Sequence, residues 1–465
     1  MKRVNDDLRQ ATDDGMTRRE LVEKTSAVAG GLLLGGTLAG CGAEPGETGA
    51  APGVRASGSD KLKLALVGCG GRGTGAANNA LKADVGTEIV AVADVFADKA
   101  EACVQRLQAK FGQFRAPITP ETTFVGLEAY KQAIDQADVV LLATPGGFRP
   151  EHFAYAVSRN KHVFMEKPVA TDAPGIRRVL DTARVADQRK LNVVVGLQRR
   201  YDPAYRETVQ RYRDGEVGQI VSGQVYWNWD GMDSRVSLRQ PQHTELEYQL
   251  RNWYYFTWLS GDHILEQNLH NIDIANWIIG EYPQSAQGSG GRQVRNGKQH
   301  GQIFDHHFVE YVYPSGAIVH AQCRQITGCM KQVKEQFQAT DGSIETMAIL
   351  SGNSRMTRRD GTEVYCNRGL LGGSPYQREH DALFKAIRSG EHLNNVEYAA
   401  KSTFSAIMGR MATYSGERIA WEKALASDLR LVPDSSALDW NGEAPVMPDA
   451  EGRYPVAIPG STRVI

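Results

Sequence analysis

A chain of 465 residues, 41% of them hydrophobic, is long enough for two domains sharing a sizeable core. Its 53 basic and 54 acidic residues leave a net charge of −1, which gives no footing for nucleic acid or an anionic surface as partner. Beyond Cys41, the cysteines at 69, 103, 323, 329 and 366 are odd in number and lack CxxC spacing, so neither a disulfide framework nor a cysteine zinc site is expected; free buried thiols are.

The chain opens with a processing segment. Thr17-Arg18-Arg19-Glu20-Leu21 has the twin-arginine form, and an apolar run over residues 27–38 follows it. About a dozen residues is too short for a membrane span of roughly 20 and suits a signal h-region. Leu38-Ala39-Gly40-Cys41 has the form of a lipobox, with Cys41 as the lipidated first mature residue. Residues 1–41 therefore read as an export signal, and 42–59, rich in Gly, Ala, Pro and Ser, as a flexible tether. The expected location is periplasmic or outer-membrane-anchored, with membrane contact only through the signal or lipid.

From residue 60 to 197 apolar strands alternate with helices. Strands are predicted at 62–67, 88–93, 139–143, 162–165 and 192–196, and helices at 74–82, 97–111, 150–159 and 172–186. Strands separated by helices of 10–15 residues mean a parallel sheet covered on both faces. The first strand runs into Gly68-Cys69-Gly70-Gly71-Arg72-Gly73. Gly68, Gly70 and Gly73 have the GxGxxG spacing: a tight turn, close approach to a pyrophosphate, and close helix–strand packing. Asp94 lies 21 residues beyond Gly73 at the end of the next strand, where its carboxylate suits ribose hydroxyls and repels a 2′-phosphate; NAD is expected over NADP. Twin-arginine export carries proteins that fold and load cofactor first, so leader and loop together predict a nicotinamide enzyme that keeps and recycles its cofactor outside the cytoplasm.

The pattern changes after Gln198. Alternating strands are predicted at 220–229, 308–313, 317–324 and 334–339, with Pro314-Ser315-Gly316 as a hairpin turn. Helices are predicted at 263–279, 378–389 and 398–415. The predicted fold is α/β: an N-terminal Rossmann dinucleotide-binding domain (60–197), then an α+β substrate and oligomerisation domain with an open, mostly antiparallel sheet (198–430). Residues 431–465 form a tail over the surface.

Glu166-Lys167-Pro168 follows the strand 162–165, so Lys167 points into the crevice at the carboxyl end of the sheet, where it can handle a substrate proton. Taken with the glycine loop, Ala143-Thr144-Pro145, Gly196-Leu197-Gln198-Arg199-Arg200-Tyr201, the segment from His270 to Asp273 and the late Gly416-Glu417-Arg418-Ile419-Ala420-Trp421, this motif resembles the Gfo/Idh/MocA family of sugar and cyclitol oxidoreductases over roughly residues 61–425. The resemblance implies a dinucleotide held by Gly68, Gly70, Gly71, Arg72, Gly73, Asp94, Thr144, Pro145, Glu166 and Lys167. It implies that Lys167 is the catalytic or substrate-orienting lysine, that His270 is the family's catalytic histidine, and that no metal is needed.

One position departs from the family pattern. Glu266 stands one helical turn before His270, where many members carry Asp; its carboxylate reaches about 1.5 Å further. Glu266 is expected to act as an acid or base in its own right. The plainer alternative for His270 is a core histidine. His263 and Asp273 lie one turn to either side and are weaker substrate candidates. So are Arg199, Arg200 and Tyr201, as sugar clamps or as an interdomain salt bridge. A concentration of aromatics (Trp227, Trp229, Trp253, Tyr254, Tyr255, Phe256, Trp258) suits sugar rings or sheet core. The expected activity is an NAD-dependent oxidoreductase of a sugar, glycoside or cyclitol hydroxyl. The alternative is a redox-neutral glycosidase or lyase that oxidises a ring hydroxyl transiently and eliminates the neighbouring group. The open sheet face predicts a homo-oligomer.

Overall fold

The computed structural model describes residues 60–347, 353–368 and 373–465; the predicted leader and tether lie outside these. Six strands, β1 Leu62–Val67, β2 Thr87–Asp94, β3 Thr123–Val125, β4 Val139–Leu142, β5 His162–Met165 and β6 Val193–Val195, form one parallel sheet in the order β3-β2-β1-β4-β5-β6. Every residue of β4, β5 and β6 is buried, as a sheet covered on both faces requires. The order reverses between β1 and β4, and that switch point opens a crevice at the carboxyl ends. Helix Gly71–Ala83 starts inside the glycine loop. Helix Ala173–Gln188 is capped by Asp172, whose side chain accepts from Gly175 N. The short strand β3 and the helix Ala129–Asp135 went unpredicted, each too brief to carry a period.

The second sheet holds β7 Ile220–Trp229, β8 Ser285–Gly291, β9 His306–Val312, β10 Ile318–Gln325, β11 Gln332–Ala339, β12 Gly342–Met347, β13 Asn353–Arg358, β14 Glu363–Arg368 and β15 Ile419–Ala420. Its order is β14-β13-β12-β11-β7-β10-β9-β8-β15, antiparallel except between β7 and β10. Gly316, at φ 87°, closes the β9–β10 hairpin by donating to Tyr313 O at 2.9 Å. Helices Leu269–Ile279 and Val396–Ser415 cover one face of this sheet.

Three features depart from expectation. The predicted helix 263–279 is not one α-helix: residues Ile264–Asn268 form a π-helical turn before the α-helix Leu269–Ile279. The chain enters it through two left-handed residues, Gly261 (φ 76°) and Asp262 (φ 78°), and the first turn is wound wider. Helix Pro375–Ser389 packs on the first domain, with Leu383, Phe384 and Ile387 joining Leu62, Leu64 and Leu66 in one cluster. The tail does more than skirt the surface: Trp440 and Tyr454 pack with Phe96, Phe148, Tyr248 and Phe256. The described cysteines are free thiols, three of them buried, whereas Cys366 is exposed and Cys329 half-buried. Among the described residues, no helix is long and apolar enough to cross a membrane.

Candidate active site

A cleft of about 980 Å³ lies at the switch point, between the carboxyl ends of the parallel sheet and the π-helical turn. The glycine loop forms its floor. Gly68 has φ 96°, and a Cβ there would sit 2.6 Å from the Ala143 carbonyl carbon. A Cβ on Gly73 would lie 1.8 Å from Gly68 O, so only glycine lets the helix meet the strand. At Gly70 and Gly71 an added Cβ meets nothing within 4 Å. The backbone there faces open space at a helix N-terminus, the arrangement that takes a phosphate.

Asp94 closes one end of this cradle. Its Oδ2 accepts from Cys69 N at 2.7 Å and its Oδ1 from Phe96 N at 3.0 Å. Burial lifts its pKa above the ordinary value against the pull of those bonds. Thr144 and Pro145 line the next stretch, and Thr144 Oγ1 lies 3.2 Å from Nδ1 of a buried His152. Arg72 turns its guanidinium onto Glu166, reaches Glu379 Oε1 at 3.3 Å, and stacks 4.7 Å from the Tyr376 ring. Glu379 and Tyr376 come from helix Pro375–Ser389 and belong to no motif, so sequence reasoning missed them.

Lys167, Glu266 and His270 meet in the cleft. Lys167 Nζ, at the end of β5, donates to the Glu266 carbonyl oxygen at 2.5 Å and lies 3.3 Å from its carboxylate Oε2. His270 is 7% exposed and stacks on Trp227, with ring centroids 5.8 Å apart. Its Nδ1 has no hydrogen-bond partner among the described residues. Burial, and then the positive charges of Lys167, Arg199 and Arg72, push its pKa well below the ordinary histidine value, so the imidazole is neutral. Gln267 also faces the cleft and accepts from Tyr254 OH at 2.7 Å. Arg235 and Trp253, from the segment after β7, also line the cleft. Neither Gln267 nor Arg235 carries a sequence signal.

Five weaker candidates fall outside the cleft lining. Arg200 grips Asp273 through Nε at 2.9 Å to Oδ2 and Nη2 at 2.8 Å to Oδ1, and Ser402 donates to the same carboxylate. Arg199 pairs with Glu335, which is fully buried and also bonds Tyr205 and Thr346. Both arginines thus tie the crossover from the first domain to the second, Arg200 to the helix Leu269–Ile279 and Arg199 to β11, and both lie outside the cleft lining. Tyr201 OH donates to Asn395 Oδ1 in the core. His263 is buried beside Asp262 and His307. Of the aromatics, Trp227 and Trp253 line the cleft, while Tyr254, Tyr255, Phe256 and Trp258 are core residues.

Glu266, His270 and Asp273, the acidic and histidine side chains of this helical segment, do not form a ligand cluster among the described residues, and Asp273 is held by Arg200. Ligand atoms of Asp262, His263 and His307 do lie within 4.8 Å of one another. There the Asp262 Oδ2 already accepts from Phe304 N at 2.9 Å and Tyr414 OH at 2.6 Å, and His307 Nδ1 is engaged by Thr413. This reads as a buried carboxylate satisfied by protein donors.

Comparison with known proteins matches the two halves separately. A family described as an oxidoreductase family with an NAD-binding Rossmann fold matches residues 62–195, and one described as the GFO/IDH/MocA C-terminal domain matches residues 205–345. An inositol 2-dehydrogenase of Cereibacter sphaeroides is 35% identical over 152 residues, 32% of this chain and 41% of that protein. One from Rhizobium meliloti is 25% identical over 224 residues, 48% of this chain and 57% of that protein. The chain thus spans about half the length of these relatives. Among solved structures, an aldose–aldose oxidoreductase from Caulobacter crescentus complexed with glycerol superposes with a TM-score of 0.60 at 16% identity, covering 77% of this chain and 99% of that one. A scyllo-inositol dehydrogenase from Lactobacillus casei with bound NAD(H) and scyllo-inositol gives 0.59 at 18% identity, covering 78% and 100%. At these identities the structures show a shared fold.

Proposed function

The chain belongs to the Gfo/Idh/MocA family of oxidoreductases, and from that membership and its cleft we propose that it oxidises a ring hydroxyl of a sugar, glycoside or cyclitol with NAD. The observation that carries the reading is the meeting of Lys167, from the parallel sheet, with Glu266 and His270, from the second domain, beside an open glycine cradle. The residues present fit a dinucleotide: space over Gly70 and Gly71 takes the pyrophosphate, and Asp94 stands where ribose hydroxyls would lie. When bound, the nicotinamide supplies the hydride acceptor. A carboxylate held at that end favours NAD over NADP, and Lys99, which also lines the cleft, is drawn to Asp98 at 3.5 Å.

The chain's own groups handle the proton. Lys167 Nζ, fixed by the Glu266 carbonyl, binds and orients the reacting hydroxyl. The neutral His270 imidazole is the acceptor for the proton that leaves it. Trp227 and Trp253 offer ring faces to the apolar side of a sugar. The inositol 2-dehydrogenases that match part of the chain support a polyhydroxylated ring as substrate.

A second reading is favoured by one specific feature, the Glu266 carboxylate in the cleft. A ketone made beside a ring C–H acidifies that proton. Glu266 as base would remove it, the neighbouring group would leave, water would add, and re-reduction of the ketone would leave no net redox change. Such an enzyme suits export with a retained cofactor. Export by the twin-arginine route, anchoring through Cys41 and a homo-oligomer built on the second sheet complete the proposal; the leader residues carry the first two.

The deciding experiment is an absorbance spectrum of dialysed protein near 340 nm, before and after adding a panel of glycosides, free sugars and inositols. A rise with one substrate, reversed only by a second, supports the oxidoreductase. Release of sugar or aglycone with no lasting change supports the redox-neutral cleavage. Protein that carries no nicotinamide and binds none added sinks both.

A further inference from the structure

Two residues that line the cleft, one from each domain, touch. Arg251 ends the short helix Glu245–Arg251, which follows β7 and is capped by the Thr244 side chain. Asp98 lies in the first turn of helix Ala97–Arg115, just beyond Asp94. Glu247 and Arg251 stand at i and i+4 on one helical face, and Glu247 Oε1 accepts from Arg251 Nε at 2.9 Å. That bond fixes the guanidinium and leaves Nη1 to donate to Asp98 Oδ1 at 3.3 Å. The guanidinium carbon also lies 3.9 Å from the centroid of the buried Phe96 ring. Phe96 is the residue whose backbone N–H holds the Asp94 carboxylate, so the bridge sits next to the proposed ribose site.

The C-terminal tail spans the same two parts. Leu431 N donates to Asp172 Oδ2 at 2.8 Å and Ser435 N to Glu151 Oε2 at 3.0 Å, both in the first domain. Further along, Tyr454 OH donates to the Glu245 carboxylate, and Val446 O accepts from the Gln249 side chain, both on the helix that ends at Arg251. The tail therefore ties this helix to the first domain by bonds that do not involve Arg251.

We propose that the contact of Arg251 with Asp98 and Phe96 is a latch on the dinucleotide cleft, and that its opening limits how fast the dinucleotide enters and leaves. The inference rests on the reading that the glycine loop holds a dinucleotide. With its ribose at Asp94, the adenosine half lies beside Val95, Phe96, Leu250 and Arg251, which line the cleft from both domains. The latch is protein against protein, so the same opening precedes entry and exit. A latch that closes equally over a filled and an unfilled cleft multiplies both rates by its open fraction and cancels from the affinity. Because the tail keeps the helix docked, opening is a swing of the Arg251 side chain and not a separation of the domains. The Asp98 side chain is 55% exposed, and Lys99 draws on its other oxygen at 3.5 Å, so the ion pair is weak and the ring stack adds to it. Together they hold the latch shut by about a factor of ten.

The test loads the protein with NADH, chases it with excess NAD and follows NADH release by fluorescence. Association rates come from stopped-flow mixing and Kd from titration. Arg251→Ala should speed release and association alike, each by about tenfold, with Kd within about twofold and a melting temperature close to the parent's. Asp98→Asn should give a smaller rise in the same two rates, and carries the test even if Arg251→Ala folds poorly. The two changes together should add little to Arg251→Ala alone. Faster release with unchanged association, and so a weaker Kd, would make Arg251 a direct contact of the dinucleotide and overturn the latch. Unchanged rates in both variants would overturn it too, while NADH binding by the parent would leave the cradle reading intact. A parent that binds no NADH would overturn that reading, and the latch with it.

Discussion

Lys167 Nζ is bonded to the main-chain carbonyl of Glu266 at 2.5 Å and stands 3.3 Å from the carboxylate of the same residue. One side chain from the parallel sheet is thereby aimed by one residue of the π-helical turn, which fixes the spacing of the two halves of the site. Replacing Lys167 with Met keeps most of the apolar stem and removes this bond and the group that orients the reacting hydroxyl. Lys167→Met is expected to lower kcat by about 10²–10⁴. A variant that still turned over at near wild-type rate would show that Lys167 does not orient the reacting hydroxyl.

Glu266 separates the two functional readings. Glu266→Gln leaves the backbone carbonyl in place, so the main tie to Lys167 survives while the carboxylate is lost. If the enzyme performs net oxidation, the variant should still reduce NAD with a sugar or inositol at a rate lowered about tenfold or less. If it cleaves glycosides by elimination, release of the leaving group should fall by about 10²–10⁴ while 340 nm absorbance builds up on mixing. Parallel assays of absorbance and product release distinguish the two.

The parts of this site legible in the sequence are those whose chemistry is local. Gly68 and Gly73 announce themselves because only their own φ and the absence of a Cβ allow the turn and the close packing. Lys167 is legible because a strand end fixes where it points. Arg200 and Asp273 were not: whether an arginine clamps a sugar or a carboxylate depends on a partner 73 residues away. The π-turn escaped because its cause, two successive left-handed residues, has no period. Strand β8, whose sequence is Ser-Ala-Gln-Gly-Ser-Gly-Gly, reads as a linker and is a strand only because β9 pairs along it. At Gly288 and Gly290 a Cβ would come within 3 Å of β9 carbonyl oxygens, so the glycines that hide the strand are what let it dock.

Five histidines predict how stability follows pH. Burial, the first cause in each case, holds His152 and His380 near pKa 3 and His162 near 4, and His263 and His270 well below the usual value. These imidazoles are neutral in the fold and take up protons in the unfolded chain near pH 6.5. The unfolded state therefore binds more protons between about pH 6.5 and 4, and stability falls as pH drops through that window, by about 1.4 kcal/mol per unit for each group. Denaturation midpoints at pH 7.5, 6 and 5 should decline steeply. His380 stacks 4.0 Å from Phe164 with neither ring nitrogen hydrogen-bonded among the described residues, so His380→Phe should flatten the decline. A midpoint constant from pH 7.5 to 5 would show that these rings are not held neutral.

The Arg200–Asp273 pair is predicted to be structural. Asp273 is 1% exposed, and its carboxylate is filled by Arg200 and Ser402. Asp273→Asn strands the Arg200 charge among Trp277 and Tyr398, a loss of about 3–5 kcal/mol. The denaturant midpoint should drop sharply, and KM for the sugar should stay constant in the folded fraction. A raised KM with normal stability would instead return Asp273 to the substrate site.

Gly70 tests the cradle without testing the fold. Its φ is −66°, which any residue adopts, and a Cβ there meets no protein atom within 4 Å. Gly70→Ala should therefore fold with a melting temperature close to that of the parent. The new methyl group projects into the space over the loop, where the pyrophosphate would approach the backbone, and NAD affinity should fall by a factor of ten or more, about 1.4 kcal/mol or greater. Gly73→Ala is the contrasting case: its Cβ would lie 1.8 Å from Gly68 O, so helix Gly71–Ala83 must shift and stability should fall together with binding. If Gly70→Ala bound NAD as the parent does, the pyrophosphate would have to lie away from the loop, and the assignment of this cleft to a dinucleotide would fail with it.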